Sequence, residues 1–194
     1  MQLLKDKIQK EGKYLGNGIL KVDAFMNHQI DPVLMDKVGS EFARLFGHLK
    51  PTRILTAETS GIAPALSTGM KLQIPVVFAR KHRPITMVDP MRESAESHTH
   101  GKVVELMVSP EYLTASDRVI IIDDFLATAR TLAALVKLAN TSGATLLGIG
   151  AVIEKSFEGG REKLAYLNIP IEALATIDSF DNDQINFAKE AVAR

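Results

Sequence analysis

The stretch Val119–Thr131, VIIIDDFLATART, decides the fold: four β-branched residues, two adjacent carboxylates, then a short loop of small and hydroxyl residues running into a helical pattern. Val119–Ile122 has no polar alternation, as expected of a strand buried on both faces of a parallel sheet. Asp123 and Asp124 then fall at its carboxyl end, the edge at which open α/β sheets bind ligands. The N-terminus of the following helix offers unpaired N–H groups and a positive dipole end to an anion. Leu132, Leu135, Val136, Leu138 and Ala139 form the apolar stripe of that helix, and Ser142-Gly143 ends it. Adjacent carboxylates at the end of a buried strand are costly without a partner. Carboxylates accept hydrogen bonds from ribose hydroxyls while loop amides hold a phosphoryl group, so the pattern points to a sugar phosphate.

Working outward, the same alternation repeats. The patterns predict strands over Arg53–Glu58 and Val76–Arg80 with a helix over Ile62–Leu72 between them, and a helix over Thr128–Asn140 after the acidic strand. A strand over Ala144–Glu154, a helix over Gly160–Asn168 and a strand over Ile171–Ile177 follow. The expected architecture is α/β: a parallel core sheet of about five strands flanked by helices. Toward the N-terminus, Leu3–Glu11 reads as a short amphipathic helix. Pro32 opens another that runs to about Phe46, with Leu34, Met35, Val38, Phe42 and Leu45 inward. One domain is expected over 1–194, with the core at 51–178; residues 1–50 and part of the C-terminal region form a small hood and flanking helices.

His82–Asp117 is too long for an ordinary connection. Asp89–Lys102 is polar, whereas Lys102–Val108 alternates like a hairpin strand. It reads either as a flexible lid loop over a bound ligand or as a solvated hairpin.

Composition narrows the function classes. The chain has 194 residues, 46% of them hydrophobic, enough for a substantial core. Lys plus Arg and Asp plus Glu each number 23, so nothing favours nucleic acid or an anionic membrane as a partner. The absence of cysteine excludes disulfides, thiolate metal sites and thiol catalysis. The first residues lack the apolar core of a signal peptide, and no segment reaches the roughly 18 apolar residues of a membrane span, so a cytoplasmic location is expected.

Other constellations fit an anionic ligand. An acidic pair alone also suits a receiver domain or a metal site, but a receiver lacks a phosphate-type loop directly after the pair, and the Walker pattern is absent. Glu58–Pro64, ETSGIAP, is a second strand–loop–helix turn, where Ser60 and Gly61 let the backbone approach an anion; an ordinary glycine-containing turn reads the same way. Arg80-Lys81-His82-Arg83 places cations at the end of the next strand, either against a pyrophosphate or simply in solvent. Lys155 ends a further core strand, from which it reaches into the same cleft or lies on the surface. Leu20–Gln29 mixes apolar side chains with an amide and lies outside the core, as a hood over the site would.

Val119–Thr131 resembles the phosphoribosyl-pyrophosphate motif of type I phosphoribosyltransferases. LLKDKIQKEG, LKVDAFMNHQIDP, TSGIAPAL, IPVVFARKH, IIDDFLA and GIGAVIEKSFEGGREKL, in this order, resemble the xanthine-using branch of that family. The resemblance implies the type I phosphoribosyltransferase fold and purine salvage. The 5-phosphoribosyl group of phosphoribosyl pyrophosphate passes to N9 of xanthine, giving xanthosine 5'-monophosphate and pyrophosphate. It further implies that Ala127, Thr128, Ala129, Arg130 and Thr131 hold the 5-phosphate, that Asp123 and Asp124 engage the ribose hydroxyls, and that Ser60, Gly61, Arg80 and Lys81 face the pyrophosphate. Leu20, Asn27 and Lys155 match the base-contacting positions. A homodimer is implied, as is magnesium carried by the donor with no direct protein ligand. Two rivals stay open: a non-catalytic sensor of the donor, and a transferase preferring guanine or hypoxanthine.

One position departs from the family motif, which has glycine where this chain has Ala129. Alanine at positive φ costs on the order of 1 kcal/mol. Ala129 is therefore expected to take ordinary helical-entry geometry, with Thr128 and Thr131 supplying hydroxyls; otherwise phosphate binding weakens and the Arg130 charge compensates.

Overall fold

A computed structural model of the chain describes residues 1–96, 103–181 and 184–188. The chain opens with α1 (Gln2–Glu11), then β1 (Lys13–Tyr14) and β2 (Leu20–Lys21), which pair with each other, and a single π-type turn at Asp23–Asn27. α2 (Pro32–Phe46) has proline in its first turn and Asp31 as its cap, whose carboxylate accepts from the Val33 and Leu34 amides. Then come β3 (Arg53–Ala57), α3 (Ile62–Leu72) and β4 (Val76–Ala79). The hairpin of β5 (Met91–Glu96) and β6 (Val103–Val108) precedes β7 (Arg118–Leu126), α4 (Arg130–Thr141), β8 (Thr145–Lys155), α5 (Gly160–Leu164), β9 (Ile171–Asp181) and β10 (Gln184–Phe187).

The main sheet runs β10-β9-β8-β7-β3-β4. The five strands from β9 to β4 are mutually parallel, and β10 adds an antiparallel edge beside β9. That edge strand is absent from the sequence expectation because QINF is short and mixed in polarity, and β9 continues to Asp181 rather than stopping at Ile177. β7 likewise extends beyond Ile122 to Leu126, so Asp123 and Asp124 sit within its last turns of pleat rather than after its end. The long neighbour β8 supplies ladder partners there, Ala151 for Asp123 and Glu154 for Leu126.

Two apolar clusters cover the two faces. One packs α1, α2 and Ala65 of α3 against Ile54, Ile120 and Ile122. The other packs α4 and the hairpin's Leu106 and Val108 against Leu55, Val119 and Ile121. Alternate residues of the VIII run therefore serve opposite faces, the physical reason for its lack of polar alternation. Gly148 and Gly150 on β8 leave the space into which the Phe46 and Phe42 rings pack, so α2 lies close to the sheet.

The long connection is a docked hairpin rather than a solvated one. Met91 pairs with Val108, and an Arg80–Met107 bridge, with N–H···O distances of 2.8 and 2.9 Å, ties it to the edge of the main sheet. Of the polar stretch Asp89–Lys102 that reads as a lid, residues 97–102 lie outside the described residues.

Candidate active site

In spatial order the five parallel strands run second, first, third, fourth, fifth, so the winding reverses between β3 and β7. The helices that follow these two strands leave on opposite faces, and a cleft opens at the strands' carboxyl ends. A cavity of about 300 Å³ occupies that position. Glu58–Gly61 line it from β3, Asp123–Phe125 and Ala127–Leu132 from β7 and its loop, Lys81 from the far side, and Val104 and Leu106 from the hairpin.

The acidic pair forms the cavity's most polarised wall. Asp123 is only 4% exposed, and Asp124 is half-buried. Burial holds the Asp123 carboxyl well above the usual carboxylate range, and the neighbouring Asp124 charge adds to the shift; Lys81 opposes it. Asp124 is raised as well, chiefly by burial, while hydrogen bonds from the Phe125 amide at 2.9 Å and from Ser60 favour its charged form. Gly61 is required here for space rather than for φ. It has ordinary right-handed backbone, but a Cβ would stand 2.5 Å from Asp123 Oδ1 and 2.2 Å from Thr56 Oγ1. The Glu58–Thr59 peptide beside it is cis. Thr56 Oγ1 and Thr128 Oγ1 are buried with no hydrogen-bond partner among the described residues.

Two helix N-termini meet at the cavity. Neither α3 nor α4 has a side-chain cap or an acidic residue in its first turn, in contrast with the Asp31 cap of α2. First-turn amides lack intrahelical partners, so both ends present donors to an anion. Ala129, which caps α4, corrects the expectation of helical-entry geometry: it is left-handed, at φ 64° and ψ 15°. The loop needs this turn to bring Ala127–Ala129 against Gly160, where a Cβ would stand 2.1 Å from the Ala127 carbonyl oxygen and 2.9 Å from the Ala129 nitrogen. Glycine at 160 provides the room, and alanine at 129 bears the strain.

Ser60, Gly61, Lys81, Asp123, Asp124 and Ala127–Thr131 thus line one cavity. Arg80 does not join them. Its guanidinium leans back, with Nε 3.9 Å from Glu58 Oε2, and lines a separate depression with Phe78, Met87 and Tyr112. The guanidinium lies 5.9 Å from the centre of the Phe78 ring, and Glu58 also accepts from the Lys81 amide. Lys155 is largely buried, with Nζ 3.1 Å from Glu158 Oε1 and 5.5 Å from the centre of the Phe125 ring, and it is not part of the cavity wall. Asn27 closes the π-type turn with Oδ1 buried and unpaired among the described residues, and Leu20 is buried in β2. The neighbouring hood is aromatic: Tyr14 stacks on Phe180 at 4.3 Å, and Phe157 meets Phe180 edge-on at 5.7 Å.

Reasoning from sequence missed Phe125, the hairpin residues Val104 and Leu106, and Glu158. Phe125 carried a usable signal, since it directly follows the acidic pair. Glu158 is legible only once Lys155 is known to turn toward it.

The chain matches the phosphoribosyl transferase domain family over residues 29–174. It is 53% identical over 182 residues to a xanthine phosphoribosyltransferase of Deinococcus deserti, covering 93% of this chain and 94% of that one. It is 48% identical over 191 residues to a xanthine phosphoribosyltransferase of Listeria monocytogenes, covering 98% and 100%. Among solved structures, adenine phosphoribosyl transferase of Trypanosoma brucei, in complex with AMP, pyrophosphate and ribose-5-phosphate, superposes with a TM-score of 0.76. That match has 23% identity and covers 89% of this chain and 79% of that one, a likeness of fold.

Proposed function

Because the chain belongs to the phosphoribosyl transferase family, we propose that it works in purine salvage, moving the 5-phosphoribosyl group of phosphoribosyl pyrophosphate onto N9 of xanthine. The products are xanthosine 5'-monophosphate and pyrophosphate. Names carried by relatives at about half identity over nearly the whole chain support the reaction. The observation that carries the reading is the Asp123–Asp124 pair, held toward its protonated forms by burial and placed between two uncapped helix ends.

The chemistry assigns the residues. The Ala127–Thr131 loop holds the 5-phosphate with its amides and with the Thr128 and Thr131 hydroxyls, and Arg130 contributes charge. Asp123 and Asp124 accept from the ribose hydroxyls and stabilise positive charge developing at the anomeric carbon. Ser60, Gly61 and Lys81 lie where the leaving pyrophosphate gathers negative charge. Arg80 reaches it only by swinging out of its contact with Glu58. Magnesium brought by the donor would supply further positive charge against that leaving group, beside Ser60, Gly61 and Lys81. The half-exposed Asp124 supports a cation-bearing donor.

The base sits beyond Phe125, toward Leu20, Asn27 and Lys155. The Lys155 ammonium rewards the 2-oxo group of xanthine, and an adenine amino group there leaves it unpaired. Exposed Ile30, Val33, Leu66 and Met70 around α2 and α3 support assembly as a homodimer. No helix of the described residues is long and apolar enough to cross a membrane, which suits a place in the cytoplasm.

The test is pyrophosphate release with phosphoribosyl pyrophosphate, magnesium and each of xanthine, guanine, hypoxanthine and adenine, with a no-base control. Xanthine gives the fastest turnover. Lys155→Ala raises the KM for xanthine roughly tenfold or more while leaving donor KM within about twofold. No turnover with any base despite donor binding indicates a sensor, and equal loss of both affinities removes Lys155 from the base site.

A further inference from the structure

Directly behind the phosphate loop lies a short element that no step of the reaction uses. α5 starts at Gly160, whose missing Cβ is the room the loop leans into at Ala127 and Ala129. Leu164 of α5 packs in the same apolar cluster as Ala129 and Leu132, and Lys163 Nζ lies 3.5 Å from the Thr128 carbonyl oxygen. Five residues do not hold themselves in place as a helix. The anchor is Arg161, which grips Glu154 with both prongs, Nε to Oε1 at 2.7 Å and Nη2 to Oε2 at 2.6 Å. Its Nη1 donates to the Ile171 carbonyl at 2.6 Å, so one guanidinium joins β8, α5 and β9. Glu154 is 2% exposed and takes a further bond from Thr176 Oγ1 at 3.3 Å.

A left-handed alanine persists only where its surroundings over-determine it. We propose that the Gly160 shelf, pinned by the Glu154–Arg161 pair, holds the Ala127–Thr131 loop in its phosphate-binding shape, making Gly160 and Arg161 positioning residues for the donor. This rests on the reading of that loop as the cradle of the donor's 5-phosphate. Gly160 meets the loop at the main-chain atoms of Ala127 and Ala129, so disturbing the shelf acts first on how phosphate is held and much less on the base side.

The experiment measures ribose 5-phosphate binding by calorimetry and the KM values for both substrates, in the full-length protein and in Gly160→Ala and Arg161→Lys. Gly160→Ala pushes the loop off its shelf and weakens ribose 5-phosphate binding tenfold or more, with a parallel rise in donor KM and xanthine KM within twofold. Arg161→Lys keeps the charge but loses the fork and gives a smaller loss of the same kind. Adding Ala129→Gly to Gly160→Ala frees the loop to rearrange and recovers part of the binding. If Gly160→Ala does not fold, Arg161→Lys decides. Unchanged ribose 5-phosphate affinity in a folded variant, or a xanthine KM rising in step with donor KM, overturns the proposal. A wild-type protein that neither binds ribose 5-phosphate nor turns over defeats the functional reading itself. Binding without turnover leaves the shelf testable on its own.

Discussion

Two carboxylate sites lie side by side at the ends of neighbouring strands and have been given opposite treatment. Glu154, on β8, is closed within a fork of Arg161 and a threonine hydroxyl. Asp123 and Asp124, on β7, are buried next to each other, and both are pushed toward their protonated forms. Lys81, an exposed cation in the cavity wall, opposes the shift at Asp123 without cancelling it. The satisfied carboxylate carries structure. The acidic pair, pushed toward its protonated forms by burial, carries an electrostatic cost that a polyhydroxyl ligand bearing a cation can relieve.

The sharpest way to break this contrast is to neutralise one member of each site. Asp124→Asn removes charge where the reaction needs it, and kcat falls on the order of 10²–10³ while the fold stays intact, as for loss of one preorganised electrostatic group. Full activity in a steady-state assay would remove Asp124 from the chemistry. Arg161→Met works on the other side. It strands a buried Glu154, and chemical denaturation reads a loss of about 3 kcal/mol, the scale for breaking a buried pair. Adding Glu154→Gln restores part of the stability, because the stranded charge is gone.

Asp123 gives the smallest effect and the most diagnostic one. Its folded-state carboxyl titrates above the unfolded one because burial disfavours the anion. Between those two points the folded protein binds more protons than the unfolded chain, so stability falls as pH rises through the window. Asp123→Asn removes that dependence, and at neutral pH the substrate-free variant melts a few degrees higher while losing activity. A thermal melt series across pH checks both sign and slope. A flat wild-type profile contradicts that electrostatic cost.

Much of the donor half was legible because its signals are local. Val119–Ile122 announces a doubly buried strand by composition, and Pro32 and Gly61 mark helix starts that the structure keeps. What was illegible depends on partners distant in sequence. Ala129 looks like an ordinary helix entry until Gly160 is known to lie behind it. Arg80 and Lys81 look equivalent, yet the first leans toward Glu58 and Phe78 in a separate depression while the second lines the cavity. β10 escaped because a short edge strand needs no apolar face of its own. The base side rests on Leu20, Asn27 and Lys155, which come from three separated segments, and no local pattern joins them.

The uncapped ends of α3 and α4 bear on the choice of buffer. Any small tetrahedral oxyanion is chemically a fragment of the substrate for such ends, so inorganic phosphate or sulfate in the medium competes for the donor's seat. By mass action it also raises the melting temperature, by an amount that grows with the logarithm of its concentration once that exceeds its Kd. Affinities measured in phosphate buffer are therefore apparent values displaced by the competitor, and stabilities measured there belong to an anion-loaded form.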